Sequence, residues 1–374
     1  MLRVVGKPVP RDPEESQESW WQPVWEADDE ADLEPPRPAR SHRLLPEPDD
    51  SHPLLTPLAR AQDAVARLEA RAEAASPAVA EGLRARMSYR EAAGWLTHTH
   101  IWIHPQDLAL RDAGLTGSYG AAVRRGRLED ELPATAAHGS GFDAIPSDVA
   151  VSLALRLARL ERRLAEFRTW APLADAAAMR ETLQSLGFGA GVTDVEAEQW
   201  LASAHSRREQ EPVLIRAGRA ARDWMNRRGG EPLSPDGIFL AACLWREKGF
   251  GRSISLPFWA APGPRHHRLS LQVGLRWMVG FLECVAAAAL VAQEELDRLH
   301  SAEEKGRALT HTARSRLPAA VDAVLRAPVI TARVLARSLG VTPQATLGLV
   351  RELVEAGIIR EATGRASWRA FVVS

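Results

Sequence analysis

The chain of 374 residues has room for about two or three domains, and an apolar content of 45% is enough for a sizeable buried core. Lys and Arg number 47 against 48 Asp and Glu, which excludes a protein that meets nucleic acid through its overall charge; such a surface would need local segregation of charge. Two cysteines, Cys243 and Cys284, stand far apart with no His or Cys nearby, which argues against a disulfide scaffold or a structural zinc site and fits a reducing cytosol.

Residues 1–52 ("RDPEESQESWWQPVWEADDEADLEPPRPAR" and its flanks) are rich in Pro, Asp and Glu and carry no sustained periodicity, so they predict an acidic, disordered tail. Within it Trp20, Trp21 and Trp25 stand among acids, either as a short docking element for a protein partner or as a cover for an apolar patch on the protein's own body. No apolar core follows a basic start, so no secretion signal is expected. Leu58, Ala61, Val65 and Leu68 then recur at helical spacing. Ser76 is placed to cap a second helix, with Pro77 at its first position. "SDVAVSLALRLARLERRLAEFRTW" repeats the pattern through Val151, Leu155, Leu160, Leu164 and Phe167, and Thr193 with Glu196 predicts a capping box. Strand-like runs are scarce, so residues 53–315 predict an α-helical domain interrupted by loops near 228–236 and 260–265. Its most apolar run, "WMVGFLECVAAAALVAQ" from Trp277 to Gln293, carries Glu283 and follows Arg276; it is expected to be too short and too polar for a bilayer and to form a buried helix.

Three constellations in this region invite a chemical reading. In "HTHIWIH" an extended chain would put His98, His100 and His104 on one face, where three imidazoles suit zinc or another borderline metal. Pro105 points instead to a loop entering a helix with capping histidines, and no metal is assigned. "GFGAG", Gly187 to Gly191, lacks the Lys-Ser/Thr of a phosphate loop and predicts a helix end with its loop. Arg124, Arg125 and Arg127, and Arg156, Arg159, Arg162 and Arg163, either extend a nucleic-acid footprint or form solvated faces whose charge Glu161 and Glu166 dilute.

Residues 316–374 carry the most specific pattern. After a first helix in "SRLPAAVDAVLRAP", Thr331 caps a short helix through Leu339, and Gly340 allows a tight turn. Thr342 caps a second helix that has Pro343 at its first position and ends at Gly357. "IIREAT", a turn at Gly364 and "SWRAFVV" alternate apolar and polar residues as a two-stranded wing would. Leu335, Leu339, Val350 and Leu353 face inward, which makes the segment a winged helix-turn-helix. Thr342, Gln344, Leu347, Gly348 and Arg351 then form the outer, DNA-binding face, with Arg365 and Arg369 on the wing. From Leu317 onward Arg326, Arg333, Arg337, Arg351, Arg360, Arg365 and Arg369 oppose Asp322, Glu352, Glu355 and Glu361, an excess of three positive charges that favours phosphate. The alternative use is packing or dimerisation, with Leu347 and Leu349 buried against another surface.

"FLECVAAAALVAQEELDRLHSAEEKGRA" through "LGVTPQATLGLVRELVEAGIIREATGRASWRAFVV" resembles the end of Fic-domain proteins with an appended winged helix. "PLARAQDAVARLEA", "YREAAGWL" and "HPQDLALRDAGL" extend the likeness to rhizobial, often plasmid-borne, helix-turn-helix proteins that carry a domain of unknown function. Fic enzymes transfer AMP to hydroxyl side chains through a motif His-x-Phe-x-Asp/Glu-Gly-Asn-Gly-Arg-x-x-Arg, whose His takes the proton and whose acid holds Mg²⁺. In "EPVLIRAGRAAR" only Gly218, Arg219 and Arg222 match, as a residual anion site; Glu211, Val213 and Ile215 replace the His, the Phe and the acid. The family's inhibitory Glu-Gly pair falls on Thr99 and His100. The resemblance therefore implies a mainly α, Fic-like body without catalytic residues or cofactor, joined to a winged helix-turn-helix that binds double-stranded DNA as a cytoplasmic transcriptional regulator. It leaves room for a homodimer and a protein partner and foresees no membrane. The alternatives are a residual AMP-transferring or nucleotide-binding enzyme and a protein-interaction module of toxin–antitoxin type.

Overall fold

The computed structural model describes residues 53–113, 124–125, 147–166, 169–187, 191–206, 211–229, 233–309, 315–362 and 369–374. The expected tail with its three tryptophans, Phe167, the turn at Gly364 and Arg365 lie outside the described residues. What is described belongs to a compact unit spanning Ser51–Ser374 and is mainly helical.

Local rules account for its first elements. α1 (Leu55–Ala74) buries Leu58, Ala61, Val65 and Leu68, the four residues whose spacing predicts it. α2 (Pro77–His98) starts where Ser76 Oγ accepts the Val79 N–H at 3.3 Å. It is buried along most of its length because α1, α3 (Pro105–Asp112), α4 (Ser147–Glu166), α10 (Gly274–Leu309) and α11 (Leu317–Arg326) all pack on it. Between α2 and α3 the short strand β1 (Ile101–Trp102) pairs antiparallel with β2 (Arg124–Arg125). α5 (Ala176–Leu186) ends on Gly187, whose φ of 88° closes the helix as the sequence predicts. α6 (Asp194–His205) has the Thr193–Glu196 capping box, and α7 (Val213–Arg227), α8 (Pro235–Glu247) and α9 (Pro264–Ser270) follow.

The core is organised around α10. Its 36 residues give a rod of about 54 Å, so it runs well beyond the expected Trp277–Gln293. By length and composition alone it is able to cross a membrane, contrary to the expectation of a segment too short and too polar. Here it is a core helix: Trp277, Phe281, Cys284, Val285, Ala288 and Ala292 are buried against α1, α2, α7 and α9. Both cysteines are free and buried, and burial pushes the Cys284 thiol up to about 12. The loop before α9 is held from α2 by one buried carboxylate. Glu91 accepts the N–H groups of Phe258, Trp259 and Ala260 at 2.6 to 3.2 Å. Burial still pushes its carboxyl up to about 8. Gly94 allows this approach, since a Cβ there would lie 1.8 Å from the Trp259 carbonyl oxygen.

The carboxy-terminal segment continues with β3 (Ile330–Thr331), α12 (Ala332–Leu339), α13 (Pro343–Glu355), β4 (Ile359–Glu361) and β5 (Ala370–Val373). The strands form an antiparallel sheet in the order β3-β5-β4, with Ile330 opposite Phe371 and Ile359 opposite Val373. β3 is an addition to the two strands foreseen from the sequence. α11 is fastened to α2 by Arg86, whose guanidinium donates to the carbonyls of Leu325 at 2.6 Å, Ala327 at 2.7 Å and Val324 at 3.1 Å. These carbonyls are among the last of α11, which the helix itself cannot satisfy.

Candidate nucleic-acid interface

α12, its turn and α13 are placed by local chemistry. Thr331 Oγ1 accepts the Val334 N–H at 3.2 Å and starts α12; Gly340, with φ 63°, closes it. Thr342 Oγ1 then accepts the Ala345 N–H at 3.2 Å and starts α13, and Gly357, with φ 64°, follows its end. Leu335, Val350 and Leu353 are buried between the helices and Leu339 is half-buried, so the inward face is as predicted.

The outward face consists of Thr342, Gln344, Leu347, Gly348 and Arg351, all exposed. Around Gly348 a Cβ would meet nothing within 4 Å, so the middle of this face is open to a large partner. An open groove of about 1220 Å³ runs between α12, α13 and the β4–β5 pair. Its rim carries Arg333, Arg337, Arg351 and Arg369, and its lining includes Val334, Leu347 and Val354, which are 44%, 51% and 41% exposed. Arg369 is paired with Glu361 at 3.7 Å and Arg326 with Glu81 at 3.1 Å. Arg333, Arg337 and Arg351 have no ion-pair partner among the described residues, and they share the groove with Glu355 and Glu361, the latter paired with Arg369. Arg333 and Arg337 enter the sequence argument only through the charge count. Their spacing of four on α12, which puts both on one helix face, is the signal that could have placed them at the site.

The other sequence-derived candidates lie elsewhere. Gly218 sits inside α7, facing Phe281 and Met278, and the helix begins well upstream at Val213. Its backbone is therefore committed to helical hydrogen bonds and offers no N-terminal cradle for phosphate. Arg219 pairs with Glu211, Arg222 lies 5.7 Å over the Trp277 ring, and Ile215 is buried in the core. These residues do not converge on an anion, and their donor set does not fit a metal-bound nucleotide.

His98, His100 and His104 do not share an extended face: His98 ends α2, His100 adopts φ 61°, and His104 caps α3 through the Gln106 N–H at 3.2 Å. His98 and His100 instead meet His267, with ring centroids 5.2 and 5.4 Å away. Burial and the neighbouring histidines push His98 down to about 3. Burial likewise pushes His266, whose Nε2 is 3.0 Å from the Phe258 carbonyl oxygen, down to about 4. Among the described residues no group of three His, Cys, Asp or Glu is arranged to hold a metal.

Three of the four arginines named on α4 are engaged by internal partners, while Arg156 is exposed. Arg159 and Arg162 both bind Asp112, which also accepts the Tyr89 hydroxyl at 2.5 Å, and Arg163 lies 4.5 Å over Trp170. Glu161, expected on a solvated face, is buried, and desolvation pushes its carboxyl up to about 7. The side chains of Arg124, Arg125 and Arg127 lie outside the described residues.

A family model for an HTH DNA binding domain matches residues 317–373. A comparison with curated proteins finds no match to the chain. Residues 317–373 are thus a helix-turn-helix DNA-binding domain, and the match covers α11 through β5, the same elements that build the arginine-rimmed face.

Proposed function

We propose that the protein is a cytoplasmic transcriptional regulator that reads double-stranded DNA with a winged helix. α13 enters a major groove, Thr342 and the start of the helix approach the phosphate backbone, and Gln344 and Arg351 hydrogen-bond to base edges. Leu347 offers an apolar contact for a thymine methyl, and Gly348 lets the backbone come close. Arg369, with Arg365 beyond the described residues, holds the duplex backbone from the wing. The observation that carries this reading is the set of arginines, Arg333, Arg337 and Arg351, without an ion-pair partner among the described residues on one open face of a DNA-binding domain.

Selection from random duplexes followed by gel shift tests it. Binding should weaken steeply with salt, and Arg351→Ala should cost about 1–3 kcal/mol of affinity with relaxed sequence preference. Absent or salt-independent binding overturns it.

For the helical body we propose a Fic-like scaffold without AMP transfer, supported by Glu211 and Ile215 standing where such enzymes have their base and metal-binding acid. Incubation with labelled ATP and Mg²⁺ should leave all protein unlabelled; transfer that Arg219→Ala abolishes would refute it.

One observation favours a second use of the same face. Val334, Leu347 and Val354 leave an apolar strip in the groove, as a dimer or a partner in a toxin–antitoxin pair would require. Val354→Ser separates the two uses without adding charge: it should spare DNA affinity and weaken association if protein docks there.

A further inference from the structure

A second cleft, of about 60 Å³, lies away from the DNA face, between the helical body and the strand β5. It is walled by Arg90 from α2, His104 and Gln106 at the start of α3, Arg298 from α10, and Val372 and Val373 of β5. That is several times the about 10–15 Å³ needed to hold a single water, so the space can admit a small oxygen-bearing group.

Its electrostatics are unbalanced. Three guanidiniums, Arg86, Arg90 and Arg298, converge on one buried carboxylate, Glu295. Arg86 spends its other donors on the carbonyls of α11, as described. Arg90 and Arg298 share a single oxygen, Glu295 Oε2, and make no other ion pair among the described residues. One oxygen cannot absorb the five N–H donors that each guanidinium carries, and one negative charge leaves two positive charges over. The three arginines outweigh the burial of Glu295 and keep its carboxyl below the usual range, so it stays ionised without neutralising them all. His104 Nδ1 accepts the Gln106 N–H, so the neutral ring keeps its proton on Nε2 as a further donor.

We propose that this cleft binds a small oxyanion, the phosphate or carboxylate group of a ligand, through the outward donors of Arg90 and Arg298 with the His104 ring as a third contact. Planar guanidiniums match such oxygens two at a time. Because one wall is α2 and α10 and another is β5, an occupied cleft ties the helical body to the carboxy-terminal sheet. The site does not depend on DNA binding.

Calorimetric titration of the full-length protein at fixed ionic strength tests it, with inorganic phosphate in one arm and acetate in the other. Saturable binding of one ion per chain is expected in at least one arm, and the arm that binds more tightly names the group. Arg90→Gln and Arg298→Gln should each weaken binding about tenfold or more. Arg298 is half-exposed, so Arg298→Gln keeps the fold, checked by circular dichroism, and carries the test if Arg90→Gln does not fold. No saturable heat in either arm overturns the proposal, as does unchanged affinity in a folded Arg298→Gln protein. Loss of binding in Arg333→Gln instead would put the ion on the DNA face and equally overturn it.

Discussion

In the helical body several arginines are claimed by internal partners: Arg86 donates to three carbonyls at the end of α11, Arg159 and Arg162 share Asp112, and Arg163 covers Trp170. In residues 317–373 Arg333, Arg337 and Arg351 stand on an open groove with no ion-pair partner among the described residues. The two regions use one residue type in opposite ways. An Arg-rich helix such as α4 is therefore no evidence of a nucleic-acid surface, because the decisive property is whether a fold-internal acceptor has claimed the guanidinium. A near-neutral chain can still present local positive potential where several arginines without an ion-pair partner among the described residues share one groove.

The contrast is broken most severely at its inward end. Arg86→Met should destabilise the protein by about 3–5 kcal/mol, read by chemical denaturation, since it leaves three carbonyls of α11 without their donor while Glu295 keeps Arg90 and Arg298. A loss below about 1 kcal/mol would mean that the fastening between α2 and α11 is weak.

The buried histidines sharpen the same contrast through pH. His98 and His266 are held down to about 3 and about 4 in the folded protein, while an unfolded histidine titrates near about 6.5. Their folded values are depressed, so the unfolded state takes up protons first: the stability they contribute is complete above about 6.5 and is lost as pH falls toward about 4 and about 3. Denaturation midpoints should drop over that window, by up to about 1.4 kcal/mol per pH unit for each histidine. His98→Phe should flatten the slope, and an unchanged slope would show that His98 is free to protonate in the folded state.

At the outward end the effect is smallest. Gly348 lies mid-helix with nothing within 4 Å of where a Cβ would be, so Gly348→Ala should stabilise the protein by about 0.5–1 kcal/mol in thermal denaturation. If Gly348 serves close approach to DNA, the same variant should lose affinity while gaining stability, an opposition that a merely structural glycine would not show.

Much of the fold was legible locally. Ser76, Thr193, Thr331 and Thr342 cap the helices expected of them, and Gly187 and Gly340 end helices in the left-handed conformation. The outer face of α13 followed from helical spacing once Val350 and Leu353 were taken as inward. What was not legible involves distant partners. The histidines near residue 100 meet His267 rather than one another, Glu161 is buried, and Gly218 faces the side chains of α10. None of these has a signature within a few residues of itself.

Caps, turns and the apolar stripe of each helix depend on groups three or four residues apart, which is why they can be inferred from order alone. Which arginine is consumed and which stays available depends on contacts such as Arg86 with Leu325, formed across more than two hundred positions. That allocation exists only after α2, α10 and α11 have packed, because a guanidinium finds its acceptor in space and not along the chain.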